Sequence, residues 1–422
     1  MYLIYAVAGL LIIALQVAQG QSLTIEECYS MARGNYPLVK QRDLINQSKE
    51  LSEQNLAKTW FPQIVIGGQA THQSDVTRVP LEVPGMQIPV PSQNQYRAYA
   101  EVSQSIFDGG MVRQQKRELE SNAKAQESEL EVELHRLEER INQLFFGTLL
   151  LDAQGKQMDL LRRDIQLGIQ TTEAAIANGT ALTSSLDLLR AELLRIDQRD
   201  IEVSSLRHAY VDMLGALIDR KLDDDITLEI PATPDVSSEI KRPELRLFQN
   251  QMETAALQSG LLRARTLPKL SFFLQGGYGR PALNMLSNDP EPYYIGGLRL
   301  NWSLSGLYTL RNDKEGIRLA QRSFAVQRET FLLNTNLVLK QQNADIDRYN
   351  KLIATDEEIV ELRTTIKNTA SVQLENGVIT ASDYLDEVNA EDQARQNKNI
   401  HEIQKLMAEY AVATTKGILV YQ

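Results

Sequence analysis

Trp60-Phe61-Pro62-Gln63-Ile64 is written a second time as Thr266-Leu267-Pro268-Lys269-Leu270. Upstream, Asn35-Tyr36-Pro37-Leu38 returns as Lys241-Arg242-Pro243-Glu244-Leu245, and both proline pairs lie 206 positions apart (243 − 37 and 268 − 62). Downstream, Phe107-Asp108-Gly109-Gly110 returns as Leu304-Ser305-Gly306-Leu307, and Asn178-Gly179 as Asn376-Gly377. Each half reads helix, strand pair, very long helix, tight turn, long helix. A duplication of this form suggests a pseudo-symmetric assembly, not two independent catalytic domains.

Just after each repeated proline the hydrophobic period becomes two. Ile64, Ile66, Gly68 and Ala70 alternate with Gln63, Val65, Gly67, Gln69 and Thr71. Ala98, Ala100, Val102 and Ile106 alternate with Tyr99, Glu101, Ser103 and Ser105. In the second half Leu270, Phe272 and Leu274 alternate with Ser271, Phe273 and Gln275, and Leu298, Leu300, Trp302 and Leu304 with Arg299, Asn301 and Ser303. These are two-faced strands of about ten residues, the length of a tilted membrane-spanning strand. A soluble sandwich strand with one wet face would alternate in the same way. Two features favour the membrane. The polar face carries Glu101, Arg299 and Asn301, as a water-filled lumen allows. Tyr96, Tyr278, Tyr293 and Tyr294 gather at strand ends, where an aromatic girdle would sit. The proline-containing loops, roughly Gln73 to Gln95 and Arg280 to Pro292, differ in length, and that difference absorbs the drop in repeat offset from 206 to 197.

After Gly109 a helical pattern runs to about Ala177, with Leu134, Leu137, Ile141, Leu144, Phe145 and Leu149 on one face. Its counterpart runs from about Leu307 to Glu375. At 1.5 Å per residue each spans on the order of 100 Å, which implies coiled-coil packing. Return helices fit Thr183 to Ile218 and Ser382 to Gly417. Their expected packing stripes are Leu206, Tyr210, Met213, Leu214 and Leu217, and Ile403, Leu406, Met407, Tyr410 and Gly417. Near the start, Leu23 to Gly34 reads as a helix with a Thr24–Glu27 capping box, and Pro37 to Trp60 as a second helix.

The expected organisation is as follows. Residues 1–20 form a secretory signal; residues 2–19 carry no charge, and an uncleaved anchor is the alternative. Residues 21–222 form the first repeat, with strand pair 62–73 and 95–107 and helical hairpin 109–219. Residues 223–241 form a connector whose Asp223-Asp224-Asp225 reads as a solvated loop, a cation site being the minor reading. Residues 242–422 form the second repeat, with strand pair 268–280 and 293–304 and hairpin 306–418.

Composition excludes several functions. A net charge of −11, with no basic run longer than Arg162-Arg163, does not suit nucleic-acid binding. One cysteine, Cys28, cannot form a disulfide within the chain, and His72, His135, His208 and His401 lie far apart in sequence. No metal site, cofactor or enzyme is expected. Gly276-Gly277-x-Gly279 sits in a strand before a proline loop, the wrong context for a nucleotide. Four strands cannot close a barrel, and open edges in lipid leave backbone groups unpaired. The chain is therefore expected to oligomerise through its strands into a tube. The alternative is a secreted structural coiled-coil or spacer protein.

These residues resemble the TolC-like outer-membrane factors of Gram-negative bacteria, from about Leu23 to Gly417. The carriers are the prolines opening each strand pair, the Phe107-Asp108-Gly109-Gly110 turn, and glycine-containing helical tips followed by Asp-x-Leu. The resemblance implies a mainly α fold with membrane β. Three chains would make one β-barrel in outer-membrane lipid, continued by a periplasmic α-helical barrel. It implies an exit duct for efflux or type I secretion, with a periplasmic adaptor (membrane fusion) protein and an inner-membrane RND or ABC pump as partners. By resemblance, the tips Asn178, Gly179, Thr180 and Asn376, Gly377, Val378 dock the adaptor. Asp383 and Asp386, with Asp187, would ring the periplasmic aperture; in the first half the second acid is replaced by Arg190. Leu374 and Ile379 stand where the family carries a Tyr–Arg latch.

Overall fold

The computed structural model describes residues 22–78, 80, 85, 90–237 and 239–418. The signal segment expected at 1–20 lies outside them, as do Pro84 and Pro89 of the first strand loop. The described elements are β1 (Ser22–Leu23), α1 (Ile25–Asn35), α2 (Gln41–Ala57), β2 (Gln63–His72), β3 (Asn94–Phe107), α3 (Met111–Ala177), α4 (Thr183–Ile218), β4 (Thr227–Leu228), α5 (Pro243–Arg265), β5 (Lys269–Arg280), β6 (Glu291–Asn301), α6 (Gly306–Glu375) and α7 (Ala381–Lys416). Helix, strand pair, long helix and return helix thus occur twice. Among the described residues no helix is long and apolar enough to cross a membrane.

Several boundaries differ from expectation for physical reasons. Leu23 belongs to a two-residue strand, because the Thr24 capping box starts α1 only at Ile25. The helix expected over Pro37 to Trp60 is α-helical only between 3₁₀ turns at Pro37–Lys40 and Lys58–Trp60. The strand expected over 293–304 is Glu291–Asn301: Trp302 to Leu304 leave the sheet, and the Trp302 Nε1–H donates to the Thr266 carbonyl at 3.0 Å. In β3, Ile106 is the extra residue of a β-bulge, so Phe107 rather than Ile106 faces Leu270. The two turns into the long helices also differ. Gly109 and Gly110 take φ +74° and +80°, and Asp108 accepts from the amides of Gly110 (2.8 Å) and Val112 (2.7 Å). Gly306 shows no such backbone.

The described residues form two compact units, those within 1–41, 129–246 and 329–422, and those within 42–128 and 247–328. The second unit holds a four-stranded antiparallel sheet in the order β2-β3-β5-β6. Register divides its side chains cleanly. The rows Ile64–Val102–Leu274–Gly296, Ile66–Ala100–Gly276–Tyr294 and Gly68–Ala98–Tyr278–Pro292 share one face with Phe272, Leu298 and Leu300. That face is apolar and open to the surroundings: Ile66 is 84% exposed, Tyr294 78% and Leu298 67%. The opposite face carries Gln63, Ser103, Glu101, Gln275, Ser271 and Arg299 and is the less accessible one.

The first unit has two buried clusters. One gathers Phe145 and Phe146 of α3, Val211, Leu214 and Ile218 of α4, Tyr410 of α7 and Cys28 and Tyr29 of α1. Phe146 meets Phe145 edge-on at 5.9 Å and Tyr410 at 5.2 Å. Each such buried side chain contributes about 1.5–3 kcal/mol. The α3 face is the one expected. The α4 stripe is only partly so: Leu214 is buried and Leu217 packs against the cluster as expected, but Leu206 and Met213 are 46% and 45% exposed, and Val211 and Ile218 are buried in their place. Helix α4 carries two apolar stripes, and only one meets the chain's own core.

The connector is pinned, although its three aspartates are exposed as expected. Strand β4 pairs in parallel with β1, and the Glu229 amide donates to Leu23 at 3.1 Å. Arg207 donates to Asp152 (2.5 Å), to the Ile226 carbonyl (2.8 Å) and to the Asp224 carbonyl. The His208 ring bonds the Asp224 carboxylate, which raises the His208 pKa above its ordinary 6.5; Asp212, 3.4 Å away, adds to the shift. A raised folded-state pKa gives stability that is full below the unfolded value and is lost as pH rises through the folded one. Protection factors of the amides around Ile226 are therefore expected to be high near pH 6 and to fall by pH 8, beyond the intrinsic base-catalysed rise in exchange. In His208→Gln this extra pH dependence disappears.

Candidate functional site

The turns α3–α4 and α6–α7 are built alike. Gly179 takes φ +75° and Gly377 φ +67°. The Gly179 amide donates to Ile176 and that of Thr180 to Ala175, both at 2.9 Å. The Gly377 amide donates to Leu374 at 3.0 Å and that of Val378 to Gln373 at 2.8 Å. This is the Schellman arrangement at both places, with Asn178 and Asn376 as the last helical-side residues. Asn376 adds an Nδ2 bond to the Val372 carbonyl at 2.7 Å, and Thr180 an Oγ1 bond to Ala175 at 3.0 Å.

The two turns border one cleft of about 550 Å³, which all six residues expected at the tips line. Leu182 and Val378 on its rim are 72% and 68% exposed. Thr172 lines the cleft, is 2% exposed, and its Oγ1 has no hydrogen-bond partner.

Asp383 and Asp386 are both exposed on the first turns of α7, as their three-residue spacing requires. Asp383 also has a local task the sequence reading did not assign. Its Oδ2 accepts from the Thr380 amide (2.9 Å) and hydroxyl (2.7 Å), while Thr380 Oγ1 accepts from the Asp383 amide (3.3 Å). The Thr380 hydroxyl and then its amide hold the Asp383 carboxyl below its ordinary 3.8. Asp187 is exposed on α4, and Arg190 beside it pairs with Glu173 at 3.1 Å.

Behind the turns, Leu374 and Ile379 pack against the second buried cluster of Met158, Leu161, Ile165, Leu189, Tyr384 and Val388. Burial pushes the Tyr384 phenol up to about 12; it donates to the Asp164 carbonyl at 3.2 Å, and its ring crosses over Gly168, where a Cβ would come within 2.8 Å. A polar clasp missing from the sequence reading ties α6 to α3 and α7. Lys367 bonds Asp164 at 2.8 Å and lies 3.7 Å from Glu391, which also pairs with Arg395 and accepts from Thr364. Asp392 accepts from Gln157 (3.0 Å) and Gln396 (2.7 Å), and burial raises its carboxyl pKa. These side chains sit at helical spacings no different from those of solvated charge pairs, so sequence gave no signal.

On the sheet, Glu101 and Arg299 face the same way and join in a bidentate pair at 2.7 and 3.2 Å. Arg299 reaches across β5, its guanidinium 4.3 Å above the Phe273 ring. Asn301 lies opposite Lys269 at the end of the same face. Among the described residues no three His, Cys, Asp or Glu side chains gather as a metal site.

Replacing Gly377 with Ala meets open space but forces a side chain into the left-handed region, a cost of about 1–2 kcal/mol. Asp383→Ala removes the side-chain half of the capping box, the two bonds that Oδ2 accepts from Thr380; Asp386→Ala removes no such bond. Hydrogen exchange is expected to quicken at the end of α6 in Gly377→Ala, at the start of α7 in Asp383→Ala, and at neither in Asp386→Ala.

No family model and no curated protein matches the chain. Solved structures do. The outer membrane protein VceC from Vibrio cholerae superposes with a TM-score of 0.67 at 13% identity, over 93% of this chain and 96% of that one. The CmeC outer membrane channel of Campylobacter jejuni gives 0.64 at 14%, over 94% and 86%. The MtrE outer membrane channel of Neisseria gonorrhoeae, in its open state, gives 0.63 at 14%, over 94% and 90%. Over nearly its whole length, the chain has the fold of outer-membrane channels, the fold implied by the TolC-like resemblance.

Proposed function

We propose that three copies of this chain form an exit duct in the outer membrane. The single observation that carries this reading is the sheet of the second unit. One of its faces is apolar and exposed, the other carries a paired Glu101–Arg299, and both edges, β2 and β6, lack a partner strand among the described residues. In hydrocarbon each unpaired backbone group costs several kcal/mol, so the edges require further strands. Three copies supply twelve, with Glu101, Arg299 and Asn301 facing the lumen. A secreted spacer protein would have no use for an exposed apolar sheet face.

The helices support the same assembly. Leu319, Val326 and Leu333 of α6 recur every seven residues and are 56%, 58% and 61% exposed. On α4, Leu194 and Ile201, each 66% exposed, repeat that spacing. Seams of that spacing fit neighbouring helices of a coiled-coil wall. The helical barrel would stand in the periplasm, with the paired turns at its end. There the cleft between Asn178-Gly179-Thr180 and Asn376-Gly377-Val378 receives a periplasmic adaptor, and an inner-membrane RND or ABC pump drives cargo. The duct itself is passive. Asp383 and Asp386 from three chains place six carboxylates near the aperture, with Asp187 alongside, a ring that favours cations.

Outer-membrane fractions are expected to yield a heat-labile trimer that conducts in planar bilayers. A water-soluble monomer that never inserts would overturn the proposal. Val378→Asp should abolish recovery of the cognate adaptor while leaving conductance unchanged. Block by hexamminecobalt added to the periplasmic side should weaken severalfold in Asp386→Asn, which leaves the Asp383 cap intact, and further in Asp383→Asn/Asp386→Asn. Unchanged block in both removes the aperture assignment.

A further inference from the structure

On the polar face of the sheet, one register row reads Gly67–Tyr99–Gly277–Tyr293. Tyrosine and glycine alternate across all four strands. The rings lie flat on their glycine neighbours. A Cβ at Gly67 would stand 2.6 Å from Cζ of Tyr99, and one at Gly277 would stand 2.7 Å from Cζ of Tyr293. Two rows away Phe273 lies over Gly297 in the same manner, with ring carbons 3.5 and 3.8 Å from where a Cβ would be. Glycine at 67 and 277 thus lets a ring rest on the sheet where a Cβ would push it off, whereas at Gly297 a Cβ would meet the ring only at ordinary contact distance.

A ring laid down in this way hides one face against backbone and turns the other outward from the sheet. The third ring is already occupied, since the Arg299 guanidinium lies 4.3 Å over Phe273 and is anchored by Glu101. No cation is recorded over Tyr99 or Tyr293 among the described residues. The Tyr293 hydroxyl is also buried without a hydrogen-bond partner. The flanking rows on this face are balanced in charge: Arg97 and Glu291 on one side, and Glu101, which pairs with Arg299, on the other. The row therefore offers π-faces in a setting of little net charge.

We infer that Tyr99 and Tyr293 form a lumenal aromatic belt that binds planar aromatic groups of passing solutes. The inference rests on the trimeric duct proposed above, which turns this face inward. Three copies place six rings at one level. They sit on alternate strands about 10 Å apart, each separated from the next by a glycine. Stacking on such rings selects flat apolar faces over branched aliphatic ones of similar bulk, and it does so without requiring a charge. The belt then acts as a weak transit site: it is favourable enough to be entered and shallow enough to be left.

The test is current block of the reconstituted trimer in planar bilayers by free L-tryptophan, with L-leucine as the aliphatic zwitterion of the same net charge. Tryptophan is expected to add dwell-time noise in the wild type and leucine none. In Tyr99→Leu/Tyr293→Leu the apparent affinity for tryptophan should fall about fivefold or more, and in Tyr99→Phe/Tyr293→Phe it should be kept. The single variant Tyr293→Leu, on the edge strand, should give an intermediate value and guards against a misassembled double variant, as does a heat-labile trimer band for each. Equal block of wild type and the leucine variants, or equal block by leucine and tryptophan, overturns the belt and leaves the duct standing. Absence of any channel overturns the duct and the belt with it.

Discussion

A β-sheet with four strands and two open edges is the constraint on which the rest depends. Backbone amides and carbonyls must be paired, and β2 and β6 each present one side that no strand among the described residues pairs. The apolar row from Ile64 to Gly296 and its neighbours make water a poor environment for one face. Lipid would suit that face but punishes the edges more heavily than water does. The conflict has one resolution, which is more strands of the same kind. In the proposed duct, oligomerisation through the strand edges answers this hydrogen-bonding demand before any helix is considered.

The helices solve a different problem with the same economy. A helix of 67 or 70 residues has only two ends at which backbone groups are unpaired, and both long helices finish in the same way. Gly179 and Gly377 accept the left-handed conformation, and the amides just beyond turn back to the last carbonyls. The return helices also end alike, with Asp219 and Gly417 at φ +55° and +73°. Asp219 bears a side chain in that region and Gly417 has no room for one, since a Cβ there would meet the backbone of Lys241 and Arg242 within 2.8 Å. Related turns in the two halves therefore obey one geometry under different packing demands.

Charge in the interior follows the same division of labour. Glu391, 2% exposed, is tolerable only because Lys367, Arg395 and Thr364 surround it. Such a clasp fixes the register of α6 against α3 and α7 more than it adds stability. It lies just behind the paired turns, where a latch of tyrosine and arginine was not expected. The apolar Leu374 and Ile379 at those positions pack into the core instead.

Much of this was legible in the sequence because it is periodic. Alternation at period two located all four strands, and Asn-Gly with flanking apolar stripes located both helix reversals, since these patterns are set by local backbone chemistry. The bulge at Ile106, the early end of β6 and the β1–β4 pairing were not legible, because each depends on a partner distant in the chain. For the same reason, the sequence stripe on α4 mixed two faces that only packing separates. The candidate tip residues were named from their turns, but that the two turns share one cleft, and that Asp383 caps α7, required the fold. Sequence alone determined that there are two copies of one module and which face of each strand is apolar. Tertiary structure alone decided which residues meet across that repeat, Glu101 with Arg299 and Lys367 with Asp164, because contacts between distant segments carry no local period.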